Sequence, residues 1–221
     1  MTAEAITLLK EDVLSLGRMV DNTVDMVTNL LKQEDSARLE EVEDQEKKIN
    51  EWSQDIEEKC LELLIEKDNL SAKDVRTLVS CTLIVSKLER LGDHANRVAR
   101  IASWAREEEI EVPEELPQMC AVVHHMMQDA LLTFVTNDLN KVTEVLQKDN
   151  QVNYLHDVMS KRLLSKLGEQ EQATAHMGAQ FLFCARFIER MGDLCTSVAK
   201  RVYFINTGKR LSSRSPAADR G

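Results

Sequence analysis

The chain is poor in residues that punctuate a fold, with 7 glycines, 3 prolines and 4% aromatics in 221 residues. Few turn formers and few β-favouring aromatics argue against a protein of many short strands. No apolar run approaches the ~18 residues that span a bilayer, so no membrane helix is expected. The first residues lack a basic segment followed by an apolar block, so no signal peptide is expected either. The five cysteines (Cys60, Cys81, Cys120, Cys184, Cys195) contain no CxxC pair and are odd in number. Buried free thiols in a reducing cytoplasm suit that pattern better than a disulfide framework. Also missing are a P-loop, a GxGxxG turn and a G-x-S-x-G elbow. With a formal net charge of −10 and a pI near 5.1, the chain has no overall excess of Lys and Arg to meet a nucleic-acid backbone.

What is present is written for helices: long stretches of Leu, Glu, Lys, Ala, Met and Gln. From Ala3 to about Gln33, apolar residues recur at helical spacing as Leu9, Val13, Leu16, Val20, Val24, Val27 and Leu31. Asp35 or Ser36 offers an N-cap for a second helix reaching about Lys67, and Asp68-Asn69 breaks it. Ser71 with Asp74 resembles a capping box. The third helix then runs through Leu78, Ile84, Leu88, Leu91, Val98 and Ile101 to about Glu109, roughly 55 Å of helix. Glu111–Pro117 reads as a linker. A fourth helix to about Thr136, a fifth from Asp138 to Leu167 and a sixth from about Ala173 to Asn206 follow, with Gly168 and Gly208 as stops. Residues 209–221 read as a disordered tail.

The second half repeats the first. Asp35, Glu41, Val42, Glu46, Ile49 and Asn50 return 103 residues later as Asp138, Glu144, Val145, Asp149, Val152 and Asn153. Glu89-Arg90-Leu91-Gly92-Asp93 returns 100 residues later as Glu189-Arg190-Met191-Gly192-Asp193. The changed offset predicts a shorter loop between the second and third helices of copy two. The fold class expected is all-α, two tandem three-helix bundles over residues 1–110 and 115–208.

The repeated motif carries two local penalties. Gly92 and Gly192 fall mid-helix, where glycine costs about 1 kcal/mol relative to alanine. Glu89/Asp93 and Glu189/Asp193 are like-charge pairs one turn apart, each unfavourable by a few tenths of a kcal/mol. Glycine allows a neighbouring helix to approach closely, and carboxylates one turn apart on one face can bridge a cation. Glu46/Asn50 and Asp149/Asn153 repeat the spacing on the second helices. The plainer alternative is a solvated acidic face neutralised by Arg90 and Arg190. A ferritin-type di-iron site needs Glu-x-x-His, and none of His94, His124, His125, His156 or His176 has an acid three residues before it. His124 and His125 face different directions and suit a surface or interface better than a metal. Met26, Met126, Met127, Met177 and Met191 read as core or interface fillers. No catalytic constellation is found, and no enzymatic activity is expected.

Lys87-Leu88-Glu89-Arg90-Leu91-Gly92-Asp93-His94-Ala95 resembles the third-helix signature of PhoU proteins. The stretch from Phe183 through Glu189-Arg190-Met191-Gly192-Asp193 to Cys195 resembles its second copy, and Ala72-Lys73-Asp74-Val75-Arg76 the opening of the first long helix. The resemblance implies a cytoplasmic regulator that works with a phosphate ABC transporter, through its ATPase subunit, and with a sensor histidine kinase. It would repress the phosphate-starvation response when phosphate is abundant. It further implies a homodimer, no nucleic acid, membrane contact only through partners, and multinuclear iron or zinc on Glu46, Asn50, Glu89, Asp93, Asp149, Asn153, Glu189 and Asp193. Two features depart from the family pattern. Asn50 and Asn153 stand where Asp is usual, and Arg97 and Ser197 stand where Asn is usual. An amide oxygen ligates with less charge, and Arg97 would repel a cation. An accessory role beside a sodium-dependent phosphate transporter is the alternative, and a metal-dependent hydrolase is disfavoured because no His ligand or distinct general base is present.

Overall fold

The computed structural model describes residues 2–34, 38–66, 70–166 and 172–211. These hold six helices and no strand: α1 (Thr2–Leu31), α2 (Leu39–Glu66), α3 (Ala72–Glu107), α4 (Glu115–Thr136), α5 (Asn140–Lys166) and α6 (Gln172–Thr207). The first-helix residues picked out by spacing, Leu9, Val13, Leu16, Val20, Val24, Val27 and Leu31, are all buried. So are Leu78, Ile84, Leu88, Leu91, Val98 and Ile101 on α3. Periodicity therefore found the faces that form the core.

The ends of the helices follow from local chemistry. Ser71 caps α3 in a capping box, its hydroxyl accepting from the Asp74 N–H while Asp74 accepts from the Ser71 N–H. The Asp138 carboxylate accepts from the Asn140 N–H at 3.0 Å as α5 begins. Gly208 takes φ +70° and returns its N–H to the Phe204 carbonyl, a glycine stop. Three helices end without glycine, at Gln33, Glu109 and Asn137, each at positive φ. Helix α4 starts at Glu115, so Pro117 lies in its first turn, where proline is tolerated, and not in a linker. The proposed caps Asp35 and Ser36, the break at Asp68-Asn69, the stop at Gly168 and residues 212–221 lie outside the described residues.

The residues on which the expectation of a shorter loop falls, 67–69 and 167–171, lie outside the described residues. Described α2 runs 16 residues beyond Asn50, whereas α5 runs 13 beyond Asn153.

Helices α1, α3, α4 and α6 pack as a four-helix centre; α2 rests on α1 and α3, and α5 on α4 and α6. The long helices α3 and α6 run antiparallel along most of their length. Arg76 near the start of α3 donates to the Ile205 carbonyl, His94 stacks on Phe187, and Trp104 meets His176 edge-on. Equivalent positions of the two copies, Arg90 and Arg190, therefore come together near the middle.

The other contact between copies, α1 on α4, contains an ion pair. His124 places Nε2 at 3.2 Å from Asp21 Oδ1 and Nδ1 at 3.7 Å from Asp25 Oδ1. The bond to Asp21 raises the pKa of His124, helped by the charges of Asp21 and Asp25 and opposed by burial. A raised folded-state value means the stabilisation is complete below the unfolded pKa near 6.5 and is lost as pH rises through the folded value. Wild-type protein is accordingly expected to exceed His124→Gln by about 0.5–1 kcal/mol at pH 6, with this gap narrowing towards pH 9. Urea unfolding at several pH values measures it. A gap that does not change with pH contradicts the assignment.

Candidate functional site

Of the eight expected ligand residues, Glu46, Asn50, Glu89 and Asp93 meet where α2 packs on α3, and Asp149, Asn153, Glu189 and Asp193 where α5 packs on α6. The glycines allow this approach. A Cβ on Gly92 would stand 3.3 Å from Ile49 Cδ1, and one on Gly192 would stand 3.3 Å from Asp149 Oδ1. Ile49 and Asp149 sit on the second helix of their respective copies, so each glycine admits the neighbouring helix that carries the second acidic pair.

In copy one, Asn50, Ser53, Gln54, Glu57, Ser86 and Glu89 line a cleft of about 350 Å³. Asn50 donates to Glu46 Oε1 at 2.5 Å, which leaves Asn50 Oδ1 buried with no donor, as is the Ser53 hydroxyl. The pKa of Glu89 is raised, first by burial and then by the charge of Asp93, with Glu57 and Glu46 adding and Arg90 opposing. In copy two, Asp149 Oδ1 is likewise buried without a partner. Burial and then the charge of Asp193 raise the pKa of Asp149, Glu189 adding, while Asn153 and Lys200 oppose.

The two copies are not equal. Glu189 is paired with Arg186 on the same helix, one turn before it. The corresponding position in copy one is Ser86, in the wall of the cleft. Neither Arg90 nor Arg190, the neutralising residues expected, forms an ion pair among the described residues. Arg97, expected to repel a cation, instead lies over the Phe187 ring of α6, 5.4 Å from its centroid. Arg186, Glu57 and Ser53 were all missed. The i,i+3 spacing of Arg186 and Glu189 was a signal for the first; the other two become visible only once the register of α2 on α3 is known.

Buried acceptors without donors, and the carboxylates of Glu89 and Asp149, their pKa raised by burial and by the acids beside them, fit a hard cation held by oxygen. No group of three His, Cys, Asp or Glu forms a ready coordination set among the described residues. The five cysteines are free and buried, with Cys81 and Cys120 pushed up to about 12 by burial, which keeps them as inert thiols. No helix among the described residues is long and apolar enough to cross a membrane.

Two pseudo-equivalent three-helix units, each with an acidic turn facing a second acidic helix, define a class of tandem-repeat helical proteins. The PhoU domain family matches this chain twice, over residues 13–102 and 116–202, and the chain belongs to that family. It is 28% identical over 204 residues to a phosphate-specific transport system accessory protein PhoU homolog of Clostridium acetobutylicum, covering 92% of this chain and 93% of that one. A homolog of the same description from Streptococcus pneumoniae is 28% identical, over 91% of this chain and 93% of its own. The crystal structure of PhoU from Pseudomonas aeruginosa superposes with a TM-score of 0.87 at 26% identity, over 95% of this chain and all (100%) of that one. That of the Streptococcus pneumoniae regulatory protein gives 0.84 at 25%, over 96% of this chain and 100% of its own.

Proposed function

We propose that this protein is the accessory subunit of a phosphate-specific transport system and represses the phosphate-starvation response when phosphate is abundant. In this reading it couples a phosphate ABC transporter to a sensor histidine kinase and catalyses no reaction of its own. The single observation that carries it is the match of both repeats to one family whose relatives bear that transport role in their names. A bundle with acidic clefts and no nucleophile–base pair among its motifs suits an adaptor better than an enzyme.

The acidic turns would hold a hard cation, with Glu46, Asn50, Glu89 and Asp93 as its donors in copy one and Asp149, Asn153, Glu189 and Asp193 in copy two. Bound there, the ion would cancel the carboxylate repulsion and clamp α2 to α3 and α5 to α6. Copy one is expected to be the stronger site, because Arg186 already neutralises Glu189 in copy two.

Deletion of the gene should leave phosphatase expression high in abundant phosphate. Normal repression in the deletion strain would refute the regulatory reading.

A further inference from the structure

The antiparallel crossing of α3 and α6 produces a surface that the acidic turns do not use. Along α3, one stripe repeats every seven residues and carries Arg76, Leu83, Arg90, Arg97 and Trp104, with Lys87, His94 and Ile101 between them. The facing stripe on α6 carries His176, Phe183, Arg190, Ser197 and Phe204, with Phe187, Leu194 and Arg201 between them. No acid occupies any of these positions, in a chain whose net charge is −10.

The side chains interleave cations with rings. Arg76 and Arg201 both lie over Phe204, at 5.9 and 5.8 Å from its centroid, and Arg97 lies over Phe187. His94, only 7% exposed, stacks on the same Phe187 at 5.6 Å and keeps Nδ1 buried without a partner. Two guanidinium groups thus crowd on the single ring of Phe204. None of Lys87, Arg90, Arg97, Arg190 and Arg201 has an ion-pair partner among the described residues, although 38 acids are available in the chain. Phe183 stands 58% exposed beside them.

We infer that the outer edge of the α3–α6 seam is a docking stripe for an acidic segment of a partner protein. Charge complementarity selects an anionic occupant. Shape and chemistry select a polypeptide: the cations, Arg76 to Arg97, are spread over about 32 Å of α3 and do not converge on one small ion, and the rings between them offer contacts that an inorganic anion cannot use. A broad polyanion such as a membrane or duplex would also press on Glu89, Asp93, Glu189 and Asp193, which flank the stripe on both helices. The proposal rests on the accessory role above for its partner, but its test in solution can fail independently of the deletion experiment.

The test is fluorescence anisotropy with a labelled amphipathic peptide of Glu, Leu and Ala. Wild-type protein should bind it, and binding should weaken with salt. Arg90→Glu/Arg97→Glu/Arg201→Glu should weaken it at least tenfold, about 1.4 kcal/mol or more; the milder Arg→Gln triple at the same positions should lower it in the same direction. Lys47→Glu/Lys48→Glu/Lys161→Glu, an equal charge change on exposed residues elsewhere, should leave binding within about twofold. Circular dichroism melting confirms that each variant is folded. Failure of wild type to bind the peptide, equal weakening by both Glu triples, binding to phosphatidylglycerol vesicles without binding to the peptide, or self-association abolished by the stripe triple would each overturn the proposal. The last would show that the occupant is a second copy.

Discussion

Zn²⁺, Mn²⁺ or anaerobic Fe²⁺ added to chelator-treated protein is expected to raise the thermal midpoint, and to do so much less in Glu89→Gln. At an ion concentration about 100-fold above its Kd, binding contributes ~2.7 kcal/mol. For a chain of this size that corresponds to roughly 5–11 °C. The expectation follows from the buried acceptors of Asn50 and Asp149, which lack donors, and from the mutual repulsion around Glu89 and Asp149. The sign for the ion-free protein runs the other way. A raised folded-state pKa means that folding penalises the Glu89 carboxylate at neutral pH. The neutral isostere removes that penalty and the like-charge pair with Asp93, so ion-free Glu89→Gln should melt at or above wild type. Glu189→Gln should keep more of the metal response, because Arg186 already pairs with Glu189. Scanning calorimetry with and without ion, with elemental analysis of the same samples, measures both effects. Equal midpoints and equal metal contents in wild type and both variants would remove the site assignment.

Leu91→Ala, two residues along the same helix from Glu89, should do the reverse. Leu91 is fully buried among the core side chains. Truncating such a leucine costs about 3 kcal/mol, the lost transfer energy plus the cavity left behind. The midpoint should fall by roughly 6–12 °C. The two residues thus separate roles on one helix: Leu91 holds the bundle together, and Glu89 lowers its stability in the absence of an ion. Urea denaturation gives the difference directly. A loss below about 1 kcal/mol would mean that the core around Leu91 closes over the gap.

Much of this was legible in the residues because the relevant signals are local. Helical faces repeat every three or four positions, so the buried residues of α1 and α3 could be named in advance. Gly92 and Gly192 drew notice because each is unfavourable where it stands, and the structure supplies the reason in Ile49 and Asp149. What could not be read depends on register between helices. Glu57 and Ser53 join the cleft only because α2 lies at one particular height on α3, which no spacing within either helix encodes. His124 finds Asp21 across the α1–α4 contact for the same reason. The cations of α3 meet the rings of α6 for the same reason, since Arg97 and His94 reach Phe187 only when the two helices lie antiparallel at this register. Pro117 misled because the first turn of a helix accepts proline as readily as a linker does.

The most direct test of the central claim, that the acidic turns carry the regulatory function, is phosphatase activity in a deletion strain grown in abundant phosphate. The strain carries either the wild-type chain or Glu89→Gln/Asp93→Asn at equal protein level. Wild type should restore repression and the variant should leave phosphatase high, although it is folded and at least as stable. Full repression by the variant would contradict the claim.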